Sequence, residues 1–148
     1  MKIIVDTREK HPWTFESCTG IEIAYNKLDT GDYALEGYLD KCCIERKETV
    51  SELAGNITKQ RFWNEMNRMK VFKWKFLVLE FGLQHIIDFP DNLSLKPSIR
   101  KKIQIRGPFI IRELTRIQTE YDIHVLYCHH RIYAEKQVIS IFKRVLGQ

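Results

Sequence analysis

The chain has 148 residues, of which 44% are hydrophobic and 29% charged, and a formal net charge of +5. These proportions describe one globular domain, residues 1–148, long enough to bury a real core. No apolar run approaches the roughly 20 residues that cross a bilayer, and the N-terminus lacks a signal peptide's basic, apolar and small-residue order. The expected location is therefore the cytosol, a host's if the chain is viral, or a nucleus. Cys18, Cys42, Cys43 and Cys128 show no C-x-x-C spacing, and Cys128-His129-His130 has no second ligand pair for zinc.

A strand is predicted for Lys2 to Asp6 and a second for Ile21 to Tyr25, joined by a loop through His11-Pro12-Trp13. Asp29-Thr30-Gly31 signals a turn, and Tyr33 to Leu35 and Lys41 to Arg46 read as paired strands turning at Glu36-Gly37. A helix starts at Val50 or Ser51, and Phe62, Met66 and Met69 continue at helical spacing. Lys75 to Phe81 is the clearest buried strand. His85 to Lys96 reads as a loop with room for a short helix. From Pro108 onward, Ile110, Leu114, Ile117 and Tyr121 fall on one helix face. Ile123 to Tyr127 is a strand, and Val138, Ile139, Phe142, Val145 and Leu146 make the last helix amphipathic. A β-rich front followed by α-β-α gives an α/β fold with a central mixed sheet flanked by helices.

Within this frame, Gly31-Asp32-Tyr33 and Ile44-Glu45-Arg46-Lys47 carry the chemistry. Side chains at i and i+2 of a strand share a face, so Glu45 and Lys47 point one way and Arg46 the other. Two carboxylates and an ammonium delivered to one point suit phosphodiester hydrolysis. Asp32 and Glu45 are hard oxygen ligands for Mg²⁺ or Mn²⁺, and Lys47 supplies positive charge for the phosphate and balances the acids. An ordinary surface strand with an exposed ion pair is the plain alternative. Basic groups at Lys70, Lys73 and Lys75, at Arg100, Lys101, Lys102 and Arg106, and at Arg112 and Arg116 favour a polyanion partner.

Four segments taken together, Ile4-Val5-Asp6-Thr7-Arg8-Glu9, Gly31-Asp32-Tyr33, Ile44-Glu45-Arg46-Lys47 and Ser51-Glu52-Leu53 with Ile57 and Arg61, resemble the nuclease domain of XPF-type structure-specific endonucleases, a branch of the PD-(D/E)xK superfamily. The resemblance runs from Lys2 to about Glu80. It implies the restriction-endonuclease-like fold and a Mg²⁺- or Mn²⁺-dependent DNA endonuclease acting near branches, flaps or single-strand/double-strand junctions, in repair or recombination. It places metal-binding acids at Asp32 and Glu45, the catalytic lysine at Lys47 and a further acid of the metal site at Asp6. Arg8, Arg46 and Arg61 become phosphate contacts. The rivals are a non-catalytic DNA-binding or scaffold subunit and another PD-(D/E)xK nuclease, such as a junction resolvase.

The spacing from Lys47 to Glu52-Leu53 is one residue longer than the family pattern. Thr49-x-x-Glu52 is also a capping box, the reading preferred here for Glu52. Glu80 either joins the metal shell or pairs with a nearby cation. Trp63 and Trp74 are expected to pack rather than to stack on bases. No helix-hairpin-helix pattern follows the last helix, so a stand-alone microbial or viral version is expected. Substrate recognition would then rest on this domain, on a homodimer or on a separate targeting subunit.

Overall fold

The structure, a computed structural model, describes Met1–Gln148. Six strands form one sheet: β1 (Lys2–Asp6), β2 (Glu22–Asn26), β3 (Tyr33–Leu35), β4 (Cys42–Lys47), β5 (Trp74–Leu79) and β6 (His124–Tyr127). Their spatial order is β2-β1-β3-β4-β5-β6. β1 runs parallel to β2 and antiparallel to β3, β3 is antiparallel to β4, and β4, β5 and β6 are mutually parallel. The sheet is therefore mixed. The carboxyl ends of β1, β4, β5 and β6 emerge along one edge, together with the amino end of β3.

The helices are α1 (Val50–Asn56), α2 (Gln60–Met69), α3 (Leu83–Ile87), α4 (Pro97–Arg100), α5 (Gly107–Tyr121) and α6 (Arg131–Val145). Period-two alternation sorts β4 and β5 between two cores, one on each sheet face. Cys43, Leu77 and Leu79 join α1, α2, α3 and α5 on one face. Cys42, Ile44 and Val78 join β1, β3 and α6 on the other. A strand covered on both faces reads as a continuous apolar run, which is why β5 stands out in the sequence.

The predicted long helix after β4 is two helices. Gly55 and Asn56 are weak helix formers, and carbonyls near the break have other donors: Thr58 Oγ1 bonds Gly55 O at 3.0 Å and Trp63 Nε1 bonds Ile57 O at 2.9 Å. The loop expected over 85–96 begins with α3, and a further short turn of helix, α4, follows it. The apolar stripes of α5 and α6 lie inside the monomer, Ile110, Leu114 and Ile117 in one core and Val138, Ile139 and Phe142 in the other. No helix is long and apolar enough to cross a membrane.

Candidate active site

Tyr33 pairs with Ile44 in the antiparallel β3–β4 ladder, so Asp32, just before Tyr33, and Glu45, just after Ile44, come together where the sheet opens. The Asp32 amide donates to Ile44 O at 2.8 Å, and the Arg46 amide donates to Asp32 Oδ2 at 2.8 Å. Its Oδ1 carries no hydrogen bond. Two residues along β4, Lys47 places Nζ 3.1 Å from Glu45 Oε1 and 3.9 Å from Glu52 Oε1.

These groups line a cleft of about 340 Å³ whose other walls are Asp6, Arg8, Gly31, Glu52, Asn56, Lys59, Arg61, Phe62 and Glu65. Arg8, Lys59 and Arg61 are exposed at its rim. The acids sit deeper. Burial and the facing Glu45 push the Asp32 carboxyl well above the usual range. Burial pushes Glu45 up to about 7, against the opposing pull of Lys47 and with a further push from Glu65. Burial also opposes the Lys47 charge, but Glu45, Glu52 and Asp32 outweigh it and hold the ammonium above its ordinary pKa. Burial thus disfavours the charged form of both acids, and Lys47 offsets only part of that penalty.

Asp6 lines the cleft with both carboxylate oxygens engaged. Oδ1 accepts the Arg8 amide and Arg8 Nε, both at 2.8 Å, while Oδ2 accepts Arg8 Nη2 and the Leu28 amide, also at 2.8 Å. With four donors its acceptor positions are filled, and Arg8 holds its pKa down at about 2. No three His, Cys, Asp or Glu side chains converge on one metal position. Asp6 is instead the anchor that aims Arg8. Asp6→Asn should cost about 2 kcal/mol of stability at neutral pH, the equivalent of that pKa displacement. The depressed carboxyl stabilises the fold above its unfolded value of 3.8, and that contribution fades as pH falls toward about 2. Urea unfolding of both proteins at pH 7, 4 and 3 should show the difference shrinking; a constant difference would assign the loss to packing.

Arg46 departs from its expected place at the phosphate. Its side chain is 3% exposed and lies on the face away from Glu45 and Lys47, as the alternation of β4 requires. Nη1 donates to Glu9 Oε2 at 2.8 Å and to His11 O at 2.7 Å, and Nε donates to Glu80 Oε1 at 2.9 Å. Trp13 Nε1 donates to the same Glu80 oxygen at 2.5 Å, and the Trp13 ring stacks on Tyr33 with centroids 4.4 Å apart. Arg46 thus ties the loop after β1 to the sheet. Glu80 is its partner and is directed away from the cleft.

Thr49 caps α1 by accepting the Glu52 amide at 3.1 Å, but the Glu52 carboxylate accepts from the Glu48 amide at 2.9 Å, one residue earlier than a capping box places the donor. This leaves Glu52 Oε1 turned toward Lys47. Trp63 packs at the first core with Arg116 4.4 Å above its ring, and Trp74 packs at the second. Sequence reasoning missed Glu65, which accepts the Gly31 amide at 2.8 Å and pairs with Arg68. Its place one helical turn after Arg61 was the available signal.

A mixed sheet that gathers two carboxylates and a lysine at one edge, between flanking helices, defines a restriction-endonuclease-like nuclease fold. Two solved structures share that fold. XPF from Aeropyrum pernix superposes with a TM-score of 0.73 at 17% identity, over 99% of this chain and 65% of that one. XPF from Aeropyrum pernix in complex with DNA gives 0.67 at 19% identity, over 99% and 64%. The chain thus spans less than two thirds of the length of these structures. The ERCC4 domain family model matches residues 5–136, and the chain belongs to that family. No curated protein sequence matches it.

Proposed function

We propose that this protein is a divalent-metal-dependent DNA endonuclease that cuts near branches, flaps or single-strand/double-strand junctions. The observation that carries the reading is the convergence of Asp32, Glu45 and Lys47 in a cleft rimmed by Arg8, Lys59 and Arg61. The donor set suits Mg²⁺ or Mn²⁺, since such ions are commonly held by one or two carboxylates plus water and substrate phosphate oxygens. Asp32 and Glu45 would hold the ion, whose charge would favour their ionised forms in this buried position. When bound, it supplies a lowered pKa for water and neutralises phosphate charge.

The remaining work falls to the chain's own side chains. Lys47, kept protonated and steered by Glu45 and Glu52, presents its ammonium to the phosphate and stabilises charge developing there. Arg8, fixed by Asp6 and by a bond to Leu28 O at 2.7 Å, and Arg61 at the rim hold the backbone in register. The DNA complex of the Aeropyrum pernix relative supports DNA as the ligand.

The test compares wild type with Asp32→Asn on labelled flap, fork, splayed-arm and plain duplex DNA, with Mg²⁺, Mn²⁺ or EDTA. Cutting near the junction that needs metal and disappears in the variant is expected. Metal-dependent cutting that survives the substitution would refute the assigned site, and binding without cutting in any metal would favour a scaffold subunit.

A further inference from the structure

From Asn92 to Arg112 the chain carries six cations and no acid. Arg106 pairs with Asp91 at 3.5 Å, Arg112 pairs with Glu113 at 3.5 Å, and Arg100 bonds the carbonyls of Asp91 and Leu93. Lys96, Lys101 and Lys102 are exposed and have no partner. This insert is held firmly: Leu93, Ile103 and Ile105 pack against the first core, and Gly107 lies so close to α3 that an added Cβ would meet Ile86 O at 2.3 Å.

Its position gives the charge a direction. The insert follows α3, which begins a few residues after Leu79, and Leu79 pairs in register with Lys47. It therefore leaves the sheet at the same edge as the cleft. Its anchoring residues join the core that α1 and α2 cover, so it also lies on the sheet face toward which Glu45 and Lys47 point. A polyanion seated in the cleft and extending along that face would run toward the side of the molecule that carries Lys96, Lys101 and Lys102.

We propose that the Lys96–Lys102 segment is a second DNA-contacting surface, which grips backbone phosphates of a duplex arm beyond the scissile site and contributes affinity but no chemistry. This rests on the endonuclease reading above. Phosphate contacts carry no sequence information, so the surface would serve any arm and leave the choice of cleavage position to the cleft. Leu95 and Ile99, exposed beside the cations, are the feature an acidic protein partner would use instead.

The experiment measures binding of the full chain to labelled flap DNA by anisotropy across a KCl series, with Ca²⁺ replacing Mg²⁺, and single-turnover cleavage at saturating DNA with Mg²⁺. The variant is Lys96→Ala/Lys101→Ala/Lys102→Ala. The matched control is Lys136→Ala/Lys143→Ala/Arg144→Ala, three exposed cations of α6 on the opposite sheet face. The variant should bind on the order of tenfold more weakly, with a salt slope smaller by roughly 2 to 3, at about 0.9 per phosphate contact. Its saturated cleavage rate and the control's affinity should equal wild type. A wild type that binds and cuts while variant and control bind alike would overturn this surface alone and point to an acidic protein partner. A wild type that binds neither flap nor duplex would overturn the endonuclease reading with it.

Discussion

Glu45→Gln is expected to abolish cleavage, on the order of a thousandfold or about 4 kcal/mol of barrier, and at the same time to raise the stability of the fold. Both effects come from one cause. Glu45 is held in a buried cleft beside Asp32 and Glu65, and its carboxyl is pushed from 4.5 to about 7. Between those values the folded protein keeps a proton that the unfolded chain has lost. Stability therefore falls as pH rises through this window, and the deficit is complete above it, roughly 3 kcal/mol. Gln keeps an oxygen for Lys47 but never ionises. The variant should melt above wild type at pH 8 and level with it near pH 4. Mg²⁺ should raise the wild-type midpoint and leave the variant's unchanged, since one of the two proposed carboxylate ligands is gone. A variant less stable than wild type at pH 8, with no Mg²⁺ effect on either protein, would reduce Glu45 to a structural partner of Lys47.

How much of this site could be read from the chain depends on how far apart its parts are. The facing of Glu45 and Lys47 follows from strand alternation, and the approach of Asp32 follows from two strands joined by a short turn. These are local geometry. What occupies Asp6 and Arg46 was harder to read: Arg8 is a local partner of Asp6, but the Leu28 amide lies 22 residues from Asp6 and Glu80 lies 34 from Arg46. A local window offers Arg8 as a partner for Asp6 but not the Leu28 amide that completes its set, nor the Glu80 and Glu9 carboxylates that hold Arg46. Strand alternation did place Arg46 on the far side of the sheet, and that signal was the better guide to its role. The break between α1 and α2 is legible in hindsight from Gly55-Asn56, but the carbonyl partners that hold it open are not. The β-rich front and the α-β-α ending were legible because β5 and the stripes of α5 and α6 have strong periodicity. Glu65 stayed hidden because a helix surface acid next to Arg68 resembles any solvated ion pair.

Gly31→Ala should be among the most damaging substitutions in the chain, although no chemistry belongs to the residue. Its φ is +80, a left-handed conformation, and an added Cβ would stand 2.5 Å from Cys43 Sγ and 2.9 Å from Ile44 O. Left-handed strain and overpacking together predict a loss of roughly 2–5 kcal/mol. Gly37→Ala separates the two contributions, because Gly37 has φ +81 but nothing within 4 Å of the added carbon. The excess of Gly31→Ala over Gly37→Ala in urea unfolding then measures the close approach of the turn to β4. Adding Cys43→Ala should relieve the clash with sulfur but not the one with the backbone oxygen, so rescue should be partial. A functional loss should accompany the stability loss even where the variant remains folded. Gly31 donates its amide to Glu65, and Asp32 follows directly with its own amide on Ile44 O. A turn displaced by about 1 Å carries Asp32 away from Glu45, and a misplacement of that size costs about a hundredfold in rate. If Gly31→Ala proved as mild as Gly37→Ala and left cleavage intact, the close packing of this turn on β4 could not be what holds Asp32 beside Glu45.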